Sequence, residues 1–233
     1  MLKPFKLPDR QNAPATFRLA TPKPNFGLGH LAHPGPRIIV IGASTGGPQA
    51  LSIVLKGLVP AIEQAPVFIV LHIPPEFTEV IVSHIERVTG LPTHAAEQGD
   101  EVAKGHVYIS PGHIHLGIRR RGADCFIQLS DGPPENFCKP SVDVLFRSAA
   151  KAYGEQVIGV VLTGMGSDGL AGSRAIVAAG GMVIAQDAAS STVWGMPRSV
   201  VKEGLAHSVL SVDAIGPNIC DLFRSFDFCE KDS

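Results

Sequence analysis

The 233-residue chain is 45% apolar and only 18% charged, a balance that excludes a disordered polar protein and demands a sizeable buried core. Its net charge of −1 gives no overall attraction to nucleic acid or anionic lipid, and its longest apolar runs, residues 67–71 and 157–162, are strand-sized and far below the roughly 20 residues that span a bilayer. With no secretory signal layout at the N-terminus and four cysteines that form no C-x-x-C pair, reduced thiols and a cytoplasmic location are expected.

Residues 1–36 hold seven of the 19 prolines and no helical or strand periodicity. Up to Arg37 the segment carries six Lys/Arg against Asp9 alone. It reads as a disordered, proline-rich basic tail, and residues 37–228 as the folded domain. The run Arg37-Ile-Ile-Val-Ile-Gly42 predicts a buried strand, followed by Ser/Thr/Gly punctuation and a helix over 49–57 with Pro48 in its first turn. A second unit follows, with a strand over 67–72 and a helix over 77–88 whose apolar positions (Phe77, Val80, Ile81, Ile85, Val88) recur at helical spacing. Tandem strand–helix units predict a parallel sheet.

Residues 93–129 read differently, as short runs separated by Pro-Gly and Arg-Gly turns, and predict an antiparallel insertion. The alternation then resumes with a helix over 140–153, a strand over 157–162, a helix over 170–179, a strand over 182–185 and a C-terminal helix over 213–226. The fold class expected is α/β, a doubly wound, mostly parallel, Rossmann-like sheet with a small antiparallel insertion.

Three strand ends carry groups with chemistry. Gly42-Ala-Ser-Thr-Gly46 matches G-x-S-x-G at a strand-to-helix turn, which can present the Ser44 hydroxyl as a nucleophile. A phosphate cradle fits poorly, since the spacing is neither G-x-G-x-x-G nor G-x-x-x-x-G-K-[ST], and a plain turn in which Ser44 or Thr45 caps the helix stays open. A serine needs a base, and His72 closes the next strand, one strand–helix unit away. Asp168, in the glycine-rich segment after the strand at 157–162, can cap the following helix or accept a hydrogen bond from His72 Nδ1–H. The order Ser, His, Asp disfavours the α/β-hydrolase fold, whose order is Ser, Asp/Glu, His. His113 and His115 share a strand face but lack a third ligand, so no metal site is expected. His84, His94 and His106 read as ordinary histidines, and the cysteines as core or surface residues.

Several ordered segments resemble the catalytic domain of chemotaxis protein-glutamate methylesterases of the CheB type. They are Ile41-Gly-Ala-Ser-Thr-Gly-Gly47, Leu71-His-Ile-Pro-Pro75, Asp131-Gly-Pro-Pro134 with Lys139-Pro-Ser-Val-Asp-Val-Leu-Phe146, Leu162-Thr-Gly-Met-Gly-Ser-Asp-Gly169 and Trp194-Gly-Met-Pro-Arg198. The resemblance implies a hydrolase without metal or organic cofactor that removes methyl groups from glutamate γ-esters on methyl-accepting chemotaxis receptors, with receptor glutamine deamidation as a second activity. It implies Ser44 as nucleophile, His72 as base, Asp168 as orienting carboxylate, and the backbone N–H groups of Thr45 and Met165 as oxyanion donors. Residues 1–36 are too few for the receiver domain that members of the family usually carry. Leu71 and Ile73 stand where the family commonly has Gln and Met, and around Asn136-Phe-Cys-Lys139 its basic and polar residues are partly replaced. A catalytically inactive receptor- or partner-binding module is the alternative, and a nucleotide-binding module is disfavoured by the glycine spacing.

Overall fold

The computed structural model describes residues 37–231; the expectation for the proline-rich segment 1–36 lies outside the described residues. The chain opens with strand β1 (Ile38–Ala43), helix α1 (Gly47–Ile62), β2 (Val67–Leu71) and, after a 3-10 turn at Pro75–Phe77, α2 (Thr78–Thr89). Two short strands, β3 (Thr93–Ala95) and β4 (Val107–Ile109), precede a hairpin of β5 (His115–Arg121) and β6 (Asp124–Ser130). Then come α3 (Val142–Tyr153), β7 (Val157–Val161), α4 (Leu170–Ala178), β8 (Met182–Gln186), α5 (Met196–Lys202), β9 (Ser208–Leu210) and α6 (Val212–Lys231).

Seven strands form one sheet in the order β3-β4-β2-β1-β7-β8-β9, and every pairing in it is parallel. The central strands β1, β2 and β7 are buried along their whole length, which is why they read as unbroken apolar runs rather than alternating ones. Alternation reappears in which layer each residue faces. Ile39, Ile41 and Ala43 pack with residues of α1, α2 and α6, whereas Ile38 and Val40 pack with residues of α3, α4, α5 and the hairpin.

The antiparallel insertion is smaller than residues 93–129: β5 and β6 pair antiparallel, with a further antiparallel bridge from Glu101 to Phe126, while β3 and β4 extend the parallel sheet. Three-residue strands are too short to show a period, so their partner is decided by tertiary pairing. The first helix also runs past Gly57. That glycine is a crossing point: a Cβ on it would lie 3.0 Å from Pro217 Cδ, and one on Gly216 would lie 2.8 Å from the Gly57 Cα, so α1 and α6 meet at two residues without side chains. In α2 the buried positions are Thr78, Val82 and Ile85, leaving Phe77 and Val80 exposed.

This order places a switch point beside β1. From β1 the chain moves one way to β2, and from β7, on the other side of β1, it moves the opposite way to β8 and β9. The connections leaving β1 and β7 diverge, and a crevice opens at the carboxyl ends of those strands, where open α/β sheets gather their ligands.

Candidate active site at the sheet switch point

Ser44 follows β1 directly. Its carbonyl accepts a hydrogen bond from Gly47 N–H at 2.7 Å, closing a turn whose third residue, Gly46, has φ 78° and ψ −1°. A type II turn needs positive φ there, and glycine supplies it without strain. The helix N-cap is Gly46, with no side-chain cap, so neither Ser44 nor Thr45 is spent on capping. Ser44 N–H donates to Thr163 O at 3.0 Å, and the Thr163 hydroxyl donates to Thr45 O at 2.9 Å while accepting from Val193 N–H at 2.9 Å. The buried Thr163 thus ties the turn after β1 to the loop after β7. The Ser44 hydroxyl itself has no hydrogen-bond partner among the described residues.

His72 follows β2. Ala43 and Leu71 are register partners and His72 N–H donates to Ala43 O at 3.1 Å, which sets Ser44 and His72 side by side on neighbouring strands. Asp168 comes from the loop after β7, on the far side of β1. His72 Nε2 lies 2.9 Å from Asp168 Oδ2. The nitrogen facing the carboxylate is therefore Nε2, not the Nδ1 expected from the sequence. The spacing explains it: β2 and β7 flank β1 and lie two strand separations apart, about 9.6 Å, so the imidazole reaches Asp168 with its distal nitrogen.

Asp168 is almost wholly buried, with 1% of its side chain exposed, and both of its oxygens are satisfied. Oδ1 accepts from Ser141 Oγ (2.8 Å), Asp143 N–H (3.0 Å) and Gly169 N–H (3.0 Å); Oδ2 accepts from Val142 N–H (2.7 Å) as well as from His72. Burial alone would push the carboxyl up, but the hydrogen bonds from His72, Val142, Asp143 and Ser141 outweigh it and hold Asp168 below the ordinary carboxylate range. Of the two sequence readings, the cap on the following helix is not found: α4 has Gly169 as N-cap and no side-chain cap. Asp168 faces His72, and it also caps a helix, but the helix is α3, whose N-terminal N–H groups and positive dipole end favour an anion.

Ser141, the N-cap of α3, accepts from Asp143 N–H (3.2 Å) while donating to Asp168. Its own N–H donates to His115 Nδ1 at 3.1 Å, so the other ring nitrogen carries the proton and donates to Pro133 O at 3.1 Å. His115 is thus a buried brace for the loop that leads into α3. Ser141 could have been found in the sequence as a serine heading a helical run; its reach to Asp168 could not.

Asp143 sits one turn of hydrogen bonds away, fully buried, accepting from Gly172 N–H (2.6 Å) and Asn136 Nδ2 (2.7 Å). Burial, with the negative Asp168 nearby, raises its carboxyl above the usual range. Cys138, which the sequence presents as a core or surface thiol, belongs to the site: its Sγ and the ligand atoms of His72 and Asp168 all lie within 4.8 Å of one another. Burial first, then the charges of Asp168 and Asp143, push the thiol up to about 11, so it stays protonated at neutral pH. As a metal cage the trio fits poorly, because the carboxylate oxygens are committed to O–H and N–H donors and the thiol holds its proton.

The other histidines stand elsewhere. His94 Nε2 and His106 Nδ1 are 3.1 Å apart at the β3–β4 edge, and His84 bonds Ser52 and Arg87 on α1 and α2. Thr45 follows Ser44, and Met165 follows Gly164, which packs against Ser44; both are exposed, and neither backbone N–H has a hydrogen-bond acceptor among the described residues.

The CheB methylesterase family model matches residues 39–219, a stretch that contains all of these groups. The chain belongs to the CheB methylesterase family. A protein-glutamate methylesterase/protein-glutamine glutaminase of a group 2 operon from Rhodopseudomonas palustris is 47% identical over 188 residues, covering 81% of this chain and 48% of the relative. A protein-glutamate methylesterase/protein-glutamine glutaminase from Paramagnetospirillum magneticum is 43% identical over 216 residues, covering 93% of this chain and 54% of that protein. The crystal structure of the Thermotoga maritima CheB methylesterase catalytic domain superposes with a TM-score of 0.77 at 38% identity, over 80% of this chain and 98% of that one. This CheB-type chain spans about half the length of the curated relatives it matches. Among its described residues no helix is long and apolar enough to cross a membrane.

Proposed function

We propose that this chain is a serine hydrolase that demethylates glutamate γ-methyl esters on methyl-accepting chemoreceptors, releasing methanol, and that it also deamidates receptor glutamines. The observation that carries the reading is the 2.9 Å contact between His72 Nε2 and a carboxylate held in its ionised form, on the strand next to Ser44. An ionised carboxylate can only accept, so Nε2 bears the proton and Nδ1 is left with a lone pair.

The chemistry follows from that tautomer. The Ser44 hydroxyl turns to Nδ1 and gives up its proton as Oγ attacks the ester carbonyl. Negative charge gathers on the carbonyl oxygen, where the N–H groups of Thr45 and Met165 serve as donors. Collapse breaks the bond to methoxide, which takes the proton from Nδ1–H and leaves as methanol. Water then attacks the acyl-serine with its proton going to Nδ1, which returns it to Ser44 as the glutamate is freed. Asp168 stabilises the imidazolium without taking a proton, because four donors besides His72 hold it as the anion. An amide substrate runs the same course with ammonia as the leaving group.

The test is methanol release from a methyl-esterified receptor signalling fragment by the wild-type chain. Receptor binding without turnover would replace this reading with that of a docking module.

A further inference from the structure

The four residues Glu135 to Cys138 form a tight turn closed by reciprocal backbone hydrogen bonds of 3.1 Å and 2.8 Å. Both central residues, Asn136 (φ 49°) and Phe137 (φ 64°), are left-handed, the pattern of a type I′ hairpin turn. Asparagine adopts that conformation readily, whereas a bulky aromatic residue resists it. Three of the four side chains are fastened down. Glu135 receives Arg147 Nη2 at 2.6 Å and 2.7 Å, Asn136 Nδ2 donates to Asp143 Oδ2 at 2.7 Å, and Cys138 Sγ lies beside His72 and Asp168. Just beyond the turn, Lys139 pairs with Asp131. Phe137 alone points outward and is fully exposed.

Turn chemistry by itself selects Asn-Gly or Asp-Gly at such a position. An aromatic ring held in water on a rigid, left-handed backbone has no account in the free protein, and backbone outliers of this kind gather at functional sites. Its place supplies the account. The next residue, Cys138, has its Sγ within 4.8 Å of the His72 and Asp168 ligand atoms, which sets Phe137 one residue from the crevice. From the loop after β7, Met165 is also strongly exposed; it follows Gly164, which packs so near Ser44 that a Cβ on it would fall 2.8 Å from Ser44 Cβ. Two large exposed apolar side chains thus border the reacting groups from two different loops.

We propose that Phe137 is a specificity-determining residue: it receives an apolar side chain of the protein segment that carries the scissile glutamate ester, and so makes the site prefer that ester on a protein over the same ester on a small molecule. This rests on the methylesterase reading above. A backbone turn formed in advance suits the task, since it loses little freedom when the substrate docks, and buried aromatic anchors carry much of the energy of such contacts.

The experiment measures kcat and KM for a methyl-esterified receptor signalling fragment and for N-acetylglutamate γ-methyl ester amide, with the wild-type chain, Phe137→Asn and Phe137→Leu. In Phe137→Asn the preference for the protein substrate, taken as the ratio of the two kcat/KM values, falls about tenfold, through a raised KM for the fragment. Phe137→Leu keeps more than half of the preference. Thermal unfolding shows Phe137→Asn at least as stable as the wild type, because asparagine tolerates the backbone better, so misfolding does not account for the loss. A preference in Phe137→Asn within twofold of the wild type, or a loss seen only in kcat and equal on both substrates, overturns the proposal. A wild-type chain that releases methanol from neither substrate ends the methylesterase reading, and the proposal falls with it.

Discussion

In two places of the molecule a serine and a histidine stand on neighbouring elements, and their hydrogen bonding differs. On α1 and α2, Ser52 Oγ lies 2.8 Å from His84 Nε2, whereas the Ser44 hydroxyl has no hydrogen-bond partner among the described residues. Yet Arg87 Nη2 lies 3.1 Å from His84 Nδ1. A guanidinium can only donate, so Nδ1 must accept and Nε2 must carry the proton. That proton points at Ser52 Oγ, whose own hydrogen goes to Pro48 O at 2.9 Å. The base has no lone pair left for the hydroxyl. At the sheet switch point the partner of His72 is a carboxylate that can only accept, so Nε2 carries the proton and Nδ1 keeps its lone pair. On the mechanism proposed for Ser44, the group behind the histidine is what separates a nucleophile–base pair from a structural hydrogen bond.

Ser44→Ala lowers kcat for methanol release by about 10⁶, while Ser52→Ala leaves it within twofold, despite the better hydrogen bond at Ser52; full activity in Ser44→Ala would sink the mechanism. Next, Asp168→Asn turns the rear group into one that presents an N–H to Nε2, forcing the proton onto Nδ1 where it blocks uptake from Ser44. A fall in kcat of about 10⁴ with an unchanged fold is expected, and the circular dichroism spectrum and KM check that the site is still assembled.

Much of this is legible in the sequence because it lies at strand ends. An apolar run followed by Ser44, by His72 or by the glycines around Asp168 marks both the element and the group that follows it, and parallel pairing brings the ends together. What is not legible depends on distances between layers. Nothing in the order of residues says that His72 must reach across β1 with Nε2, that Ser141 at the head of α3 supports Asp168 from below, or that Cys138 lies at the crevice. Gly57 reads as a helix stop for a similar reason: a close crossing and a terminus use glycine alike, and only Gly216 on α6 tells them apart. The strands β3 and β4 fall within the expected insertion because three residues carry no period.

Ser141→Ala removes one donor from Oδ1 and the N-cap of α3 together, and is expected to lower stability by about 1 kcal/mol, within the usual range of roughly 0.5–2 kcal/mol for a lost cap. With a donor gone, the Asp168 carboxyl rises, and the acid limb of the kcat/KM profile moves to higher pH. A change in stability with an unmoved acid limb would show that Ser141 acts only as a cap.

The smallest effect separates the two buried carboxylates at the head of α3, and its sign differs between them. Asp168 is held below its unfolded value, so the stability it supplies is present above the unfolded pKa and is lost as the pH falls through the folded one. Asp143 is held above its unfolded value, so the folded state binds that proton more tightly, and its ionisation lowers stability as the pH rises from the unfolded pKa through the folded one. Asp143→Asn removes the second effect and leaves the first. The oxygen of the introduced amide still accepts from Gly172 N–H, and Asn136 can turn its own amide over to present its oxygen to the new NH₂ group. The variant is therefore expected to melt slightly above the wild type near neutral pH, with the gap closing as the pH is lowered through the range in which Asp143 takes up its proton. A gap that widens on acidification would mean that Asp143, like Asp168, is held as an anion by its donors, and that burial is not what governs it.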